Sequence, residues 1–392
     1  MTPRKIKENL YWVGAIDWDR RIFDSLIPLP DGTSYNAYLI KGSEKTALLD
    51  SVDPNMTHIL MENLIDVENI DYIISHHAEQ DHSGAIPAVM EKYKNATVFT
   101  SPKGKDMLIN LLSLPEEKIK TVQEGENLSL GDKTLKFIHI PWVHWPETMA
   151  TYLEEDKILF TCDFLGSHLA SSELYAGKDP KVFEAAKRYF AEIMMPFRTV
   201  IRKNLEKLEQ YEINMIAPSH GLIYDEPHYI IESHREWLFG EPKNLVVLPY
   251  ISMHGSTKKM VEYFVDALIA RGVNVMQFNL VDTDIGKLAM ALVDAATIVV
   301  GTPTVIALPH PATVYAAHLA SILKPDLKFA SVIGSYSWGG KTVETIAELI
   351  SNLKVELLTP VLAKGVPRKE DFASLDRLAE EIAEKHRKNN YK

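Results

Sequence analysis

His77-Ala78-Glu79-Gln80-Asp81-His82 packs two imidazoles and two carboxylates into six residues. The run before it, Asp71-Tyr72-Ile73-Ile74-Ser75, is apolar and short and reads as a buried strand. After it, Ser83-Gly84-Ala85-Ile86 reads as a helix start, with Asp81 or Ser83 as N-cap. Ligand-type side chains at a strand end, ahead of a helix, suit a metal site better than a core. In an extended segment His77, Glu79 and Asp81 share one face. His82 then turns in as the chain enters the helix. His76 falls on the opposite face from His77 and reads as structural.

Three further residues stand where a short apolar run stops. His144 lies in Trp142-Val143-His144-Trp145-Pro146-Glu147, Asp163 ends Leu159-Phe160-Thr161-Cys162-Asp163, and His220 follows Ile216-Ala217-Pro218-Ser219. The inventory is His77, Glu79, Asp81, His82, His144, Asp163 and His220. Seven donors are too many for one tetrahedral zinc. They suit two metals with one carboxylate bridging. Imidazole and carboxylate together accept iron or manganese as well as zinc. His139 is strand-embedded and reads as core. His168, soon after Asp163, is a candidate hydrogen-bond partner for a ligand.

The first motif resembles the His-x-His-x-Asp-His signature of the metallo-β-lactamase fold, with Glu79 in place of the second His. That change is the mark of the flavodiiron proteins. The later His144, Asp163 and His220 match the order of the remaining ligands, and Asp163 resembles the bridging Asp. The resemblance implies a non-haem diiron centre.

Composition sets bounds. The chain of 392 residues has room for two domains. Hydrophobic content of 46% and charged content of 24% are those of an ordinary globular protein. A net charge of −11 argues against nucleic acid and anionic membrane surfaces as partners. No apolar run reaches the roughly 20 residues that span a bilayer. The basic N-terminus has no apolar segment behind it, so no signal peptide is expected. Cys162 is the only cysteine, which excludes an intramolecular disulfide and an all-cysteine cluster and fits a cytoplasmic setting.

The pattern changes near residue 243. Before it come strand-like runs at Thr46–Asp50, Ala96–Thr100, Leu135–Ile138 and Ile158–Thr161, with a long helical pattern from about Pro180 to Leu208. Beyond it, apolar runs at Leu245–Tyr250, Val273–Phe278, Thr297–Gly301 and Phe329–Gly334 alternate with helical segments near 257–271, 312–323, 341–353 and 370–388. This is the signature of an α/β protein with a doubly wound parallel sheet. We therefore expect domains at 1–243 and 244–392.

Three loops of the second domain point to a ligand. Ser252-Met253-His254-Gly255-Ser256-Thr257 opens a helix, where N–H groups and hydroxyls bind phosphate. Pro303-Thr304-Val305-Ile306 and Ser335-Tyr336-Ser337-Trp338-Gly339-Gly340 follow the third and fourth strands. Small residues around Tyr336 and Trp338 suit close approach to a flat ring. Together the loops resemble the FMN-binding loops of flavodoxins. Val305 and Ile306 stand where family members often carry a polar pair.

The resemblance covers nearly the whole chain. It implies a metallo-β-lactamase-like αββα sandwich followed by a flavodoxin-like doubly wound sheet. The implied activity is that of an oxidoreductase that passes electrons through FMN to two irons and reduces O2 to water, NO to N2O, or both. A separate donor is expected, rubredoxin or a deazaflavin-linked one, as is a head-to-tail homodimer or dimer of dimers. A binuclear zinc hydrolase fused to a flavodoxin domain is the alternative, with Glu79 as discriminator. Many members carry His and Tyr where this chain has Asp24 and Leu26.

Overall fold

A computed structural model describes residues 2–392. The chain up to Phe190, with Phe197–Leu238, forms one compact unit; Phe239–Lys392, with Ala191–Pro196, forms another. No described helix is long and apolar enough to cross a membrane.

Alternation along short strands builds the first unit. Seven strands form one sheet in the order Arg4–Lys7, Leu10–Trp12, Tyr38–Lys41, Thr46–Leu49, Tyr72–Ile74, Thr97–Thr100, Ile119–Thr121. Successive side chains leave opposite faces of a strand. Leu39, Leu48, Ile73 and Val98 therefore pack with Leu60, Val89 and Leu108, from the helices Thr57–Asn63, Ile86–Lys92 and Pro102–Leu112. Ile40, Leu49, Ile74 and Phe99 face the other way, onto Phe137, Met149, Phe160 and Ala217. Those belong to a five-stranded sheet, Asn127–Ser129, Thr134–His139, Met149–Leu153, Ile158–Cys162, Met215–Pro218. Phe160 is almost fully buried in this seam. Its truncation to Ala would cost about 3–5 kcal/mol. On the second sheet, Lys207 and Asn204 of helix Arg198–Leu208 donate to the carbonyls of His139 and Pro141. The result is an αββα sandwich.

Two local expectations fail here. The pattern from Pro180 to Leu208 does not form one helix. Helix Pro180–Tyr189 passes into a π-turn at Phe190–Met194 and a 3₁₀ turn at Met195–Phe197 before Arg198–Leu208 begins. Pro196 has no N–H to donate, and its ring opposes a continuing helix. Nor does Asp81 or Ser83 cap the helix after the first motif. Asp81 lies within a single turn, Gln80–Ser83, and helix Ile86–Lys92 starts behind Ala85 with no side-chain cap. Ser83 Oγ is used instead by the carbonyls of Ala78 and Glu79, at 2.8 and 2.9 Å.

In the second unit the strands run Asn274–Asn279, Lys243–Tyr250, Ala295–Val305, Phe329–Tyr336, then Glu356–Leu357 and Val361–Lys364. Neighbours on this path are parallel. The spatial order 2-1-3-4-5 is the flavodoxin-like arrangement, with its ligand crevice at the carboxyl ends of the strands. Helix Ile285–Asp294, absent from the sequence reading, fills the connection before the third strand. Gly334 is fixed by crowding: a Cβ there would lie 1.8 Å from the carbonyl oxygen of Thr302.

Candidate functional site

Four strand ends of the first unit deliver the seven residues. His77 to His82 follow Tyr72–Ile74, His144 follows Thr134–His139, Asp163 follows Ile158–Cys162, and His220 follows Met215–Pro218. Backbone bonds tie these loops together: Met149 N–H to His76 O at 3.0 Å, Ser219 N–H to Cys162 O at 2.8 Å and Ser51 N–H to His82 O at 2.7 Å.

The donors fall into two groups. His77, Glu79, His144 and Asp163 form one; Asp81, His82 and His220 form the other. In the first, Glu79 Oε2 lies 3.0 Å from His77 Nε2 and 3.2 Å from His144 Nε2. In the second, His220 Nε2 lies 3.1 Å from Asp81 Oδ2 and His82 Nε2 lies 3.4 Å from Asp81 Oδ1. Asp163 joins them. Its Oδ2 is 3.6 Å from both His77 and His144, and its Oδ1 is 2.9 Å from His82 and 3.4 Å from His220. Donors sharing one first-row ion sit about 3 Å apart, given metal–ligand bonds near 2 Å. The expectation that Asp81 shares a face with His77 and Glu79 is corrected: the chain is already helical at Asp81, so its carboxylate joins the second group.

These residues fit a pair of cations. Both carboxylate oxygens of Asp81, both ring nitrogens of His82 and Oδ2 of Asp163 are buried without a hydrogen-bond partner, a costly arrangement unless an ion completes it. The carboxylates dominate the local field. Burial opposes charge on His82, but Asp163 and Asp81 overcome it and lift the imidazole pKa to about 10. Burial likewise opposes ionisation of Glu79, yet bonds to His144 and His77 hold its carboxyl well below the usual range.

Surrounding groups fix the donors. Glu147 Oε1 accepts from His77 Nδ1 at 2.6 Å and from Ala78 N–H at 3.0 Å. The carbonyl of Ser34 holds His220 Nδ1 at 2.7 Å. Tyr189 donates its hydroxyl to Asp163 Oδ1 at 2.8 Å. His76 belongs to neither group and spans Asp50 and Thr151, at 2.7 Å each. Asp50 also accepts from Ser219 Oγ at 3.0 Å, so one buried carboxylate braces the loops of His77 and His220. His168 bonds Thr33 Oγ1 at 2.9 Å and lays its ring 4.7 Å from that of His220, but bonds no candidate ligand. His139 is only half-buried, against the expectation of a core residue, and its ring faces the Val122 carbonyl at 3.1 Å. Glu147, Tyr189, Ser34 and Asp50 were not singled out in the sequence. Only Glu147 carried a local signal, as an acid three residues past His144.

A cavity of about 370 Å³ opens beside the first motif. Glu79 and Asp81 reach its wall, together with Trp145, Phe23, Arg20 and Asp24. Trp145 stands edge-on to His77, with ring centroids 4.8 Å apart. Leu26 is 55% exposed and is not part of that wall.

In the second unit a cavity of about 270 Å³ is lined by Ser252, Met253, His254, Ser256, Thr257, Pro303, Thr304 and Ser335 to Trp338, with Gly365 as an addition from outside the three loops. Gly255 is the N-cap of helix Ser256–Ile269 at φ +87°, a conformation that favours glycine, and offers no side chain to the helix N–H groups. Val305 and Ile306 do not line the cavity. They enter a hairpin in which Val305 pairs with Leu308, and Ile306 is 86% exposed. Gly339 and Gly340 also lie off its wall; Gly340 passes so close to the Ala307 carbonyl that a Cβ would sit 2.6 Å from it. Ser252, Ser256 and Thr257 at a helix N-terminus line one cavity with Tyr336 and Trp338, a set that fits a phosphorylated aromatic ring system.

The family described as ODP family beta lactamase matches residues 33–221. The chain is 34% identical to a nitric oxide reductase of Moorella thermoacetica, over 97% of this chain and 98% of that one. It is 33% identical to a coenzyme F420H2 oxidase of Methanothermobacter marburgensis, over 89% and 90%. Among solved structures, rubredoxin oxygen:oxidoreductase from Desulfovibrio gigas superposes with a TM-score of 0.94 at 30% identity, covering 98% of both chains. The flavodiiron protein from Giardia intestinalis superposes with a TM-score of 0.93 at 27% identity, over 100% of this chain and 99% of that one. With the αββα sandwich, the flavodoxin-like sheet and Glu79 in the first motif, these likenesses make the chain an oxidoreductase that belongs to the flavodiiron proteins.

Proposed function

We propose that this oxidoreductase takes electrons up through FMN in its second domain, 244–392, and delivers them to two irons in its first, 1–243, where O2 is reduced to water, NO to N2O, or both. The observation that carries the reading is the position of Asp163, with one carboxylate oxygen turned to each group of donors. His77, Glu79, His144 and Asp163 would hold one iron; Asp81, His82, Asp163 and His220 the other. The flavin supplies electron collection and the irons supply one-electron chemistry on the gas.

The chain's own residues set the geometry. Glu147 and the Ser34 carbonyl fix His77 and His220 with Nδ1 protonated and Nε2 free to bind. Tyr189 orients the Asp163 carboxylate. Trp145 and Phe23 give the cavity apolar walls. A separate electron donor completes the cycle. The Desulfovibrio gigas and Methanothermobacter marburgensis relatives are named for rubredoxin and for F420H2, and either chemistry suits an exposed rim such as Trp338, 68% exposed beside the flavin cavity. A head-to-tail homodimer, with each flavin serving the partner's irons, belongs to the same reading.

The test is elemental and flavin analysis of the purified protein, then anaerobic single turnover with each gas. Two irons and one FMN per chain, with reduction of at least one gas, are expected. Two zincs, little iron and hydrolytic activity would overturn it in favour of the hydrolase.

A further inference from the structure

The metal cavity has a proton problem. Reducing O2 to two waters takes four protons with the four electrons, and joining two NO into N2O and water takes two with two. Several groups around the donors already have their protons engaged. His77 and His220 have their Nδ1 protons on Glu147 and the Ser34 carbonyl, and the Tyr189 proton is on Asp163. The cavity that Glu79 and Asp81 reach offers protons a route from solvent.

One acid on its wall is free to carry them. Glu79 and Asp81 are candidate ligands, and Asp53 caps Asn55 N–H at 2.9 Å and lies 3.8 Å from Arg20. Asp24 remains. Among the described residues it has no hydrogen-bond or ion-pair partner, it lines the cavity, and it is exposed to solvent. Asp24 and Ser25 both hold left-handed backbone, at φ +49° and +54°, an unfavourable conformation that the loop nonetheless keeps.

We propose that Asp24 is the relay that passes protons from solvent into the metal cavity, an inference that rests on gas reduction at this site. In each transfer the O–H bond of the Asp24 carboxyl breaks and a new one forms on cavity water, which passes its excess proton to the reacting gas. The carboxylate then recovers a proton from bulk solvent. Electrons come only from the donor. The surroundings favour the role: Asp24 stands on the cavity wall that Glu79 and Asp81 also reach, open to solvent and, among the described residues, with no bonding partner of its own.

The test uses holoenzyme in four forms: wild type, Asp24→Asn, Asp24→Glu and, as a charge control on the same exposed stretch that should match wild type, Asp19→Asn. Anaerobically reduced protein is mixed with O2 or NO and flavin reoxidation is followed across pH. Asp24→Asn should lower kcat about 100-fold with KM little changed, and Asp24→Glu should restore most of it. A second readout needs no turnover. Azide binding to the oxidised holoprotein, read from its visible absorption, should weaken as Asp24 ionises; removing that charge should flatten the difference by about 10-fold between low and high pH. Superimposable azide profiles and equal kcat for wild type and Asp24→Asn would overturn the relay while leaving gas reduction intact. A wild-type holoprotein that reduces neither gas would overturn the functional reading and the relay with it.

Discussion

Glu147 Oε1 lies 2.6 Å from His77 Nδ1, and both side chains are fully buried. The bond sets which imidazole nitrogen faces the donor cluster. Burial disfavours the Glu147 charge, but His77 outweighs it and holds the carboxyl below its ordinary range. Glu147→Gln keeps the shape and removes the charge. Metal affinity should fall about 10- to 100-fold, the usual cost of losing such a support. Iron retained after dialysis against a graded chelator series measures it; unchanged retention would show that His77 is held by packing alone.

Asp163→Ala removes the one carboxylate that touches both donor groups. Both metals should be lost together, with flavin binding intact, because the cavity proposed for the flavin is lined wholly by the second unit. Iron analysis beside the flavin absorbance decides it. Loss of both cofactors at once would contradict the assignment of sites to domains.

Residues 244–392 should fold alone and bind FMN. Their sheet is closed from within: Asn244 N–H bonds the carbonyl of Lys392, and Leu375, Leu378 and Ile382 of the last helix pack on Val246 and Leu248. A unit of about 150 residues can bury its own core. Quenching of FMN fluorescence on titration with the fragment is the measurement, and an insoluble or flavin-free fragment counts against it.

Mixing two inactive variants tests transfer between chains. Asp163→Ala supplies intact flavin sites, and Ser256→Asp, which sets a negative charge at the phosphate loop, supplies intact metal sites. After subunit exchange, activity should return to about half of wild type per mixed dimer, since an isologous pair holds two equivalent transfer paths. No recovery despite confirmed exchange would place the whole relay within one chain.

His234 offers a stability test away from the metals. Its ring sits among Phe164, Phe190 and Trp237, at 5.7, 5.7 and 4.7 Å, with one bond to the Ile230 carbonyl at 3.0 Å. Burial lowers its pKa to about 4. The folded protein thus binds this proton less readily than the unfolded chain. The contribution to stability is whole above about pH 6.5 and is lost as pH falls towards 4. His234→Phe should reduce the stability lost between pH 8 and pH 5 by about 2 kcal/mol. Denaturant unfolding of both proteins at the two pH values reads the difference; parallel losses would refute the assignment.

Much of this was legible in the sequence because strand ends announce themselves. An apolar run that stops at His77, Asp163 or His220 marks both the end of a buried strand and a polar group held there. The second unit was equally plain, since strands buried on both faces read as unbroken apolar segments. One helix was hidden for the same reason: Ile285–Asp294 runs straight into the strand Ala295–Val305 with no polar break, so its apolar face merges with the strand's.

The sequence by itself determined the seven candidate donors, the order of the two domains and the three loops that contribute to the second unit's cavity, because each is a local pattern of residue types. Only the tertiary structure decided how the donors divide. Asp81 leaves His77 and Glu79 because the chain turns helical between them, and Asp163 turns one oxygen to each group. Glu147, Asp50 and Asp24 acquired their places in the same way. Each lies far along the chain from most of the side chains it serves, and no periodicity within one segment encodes which strand ends a two-layer sandwich brings together.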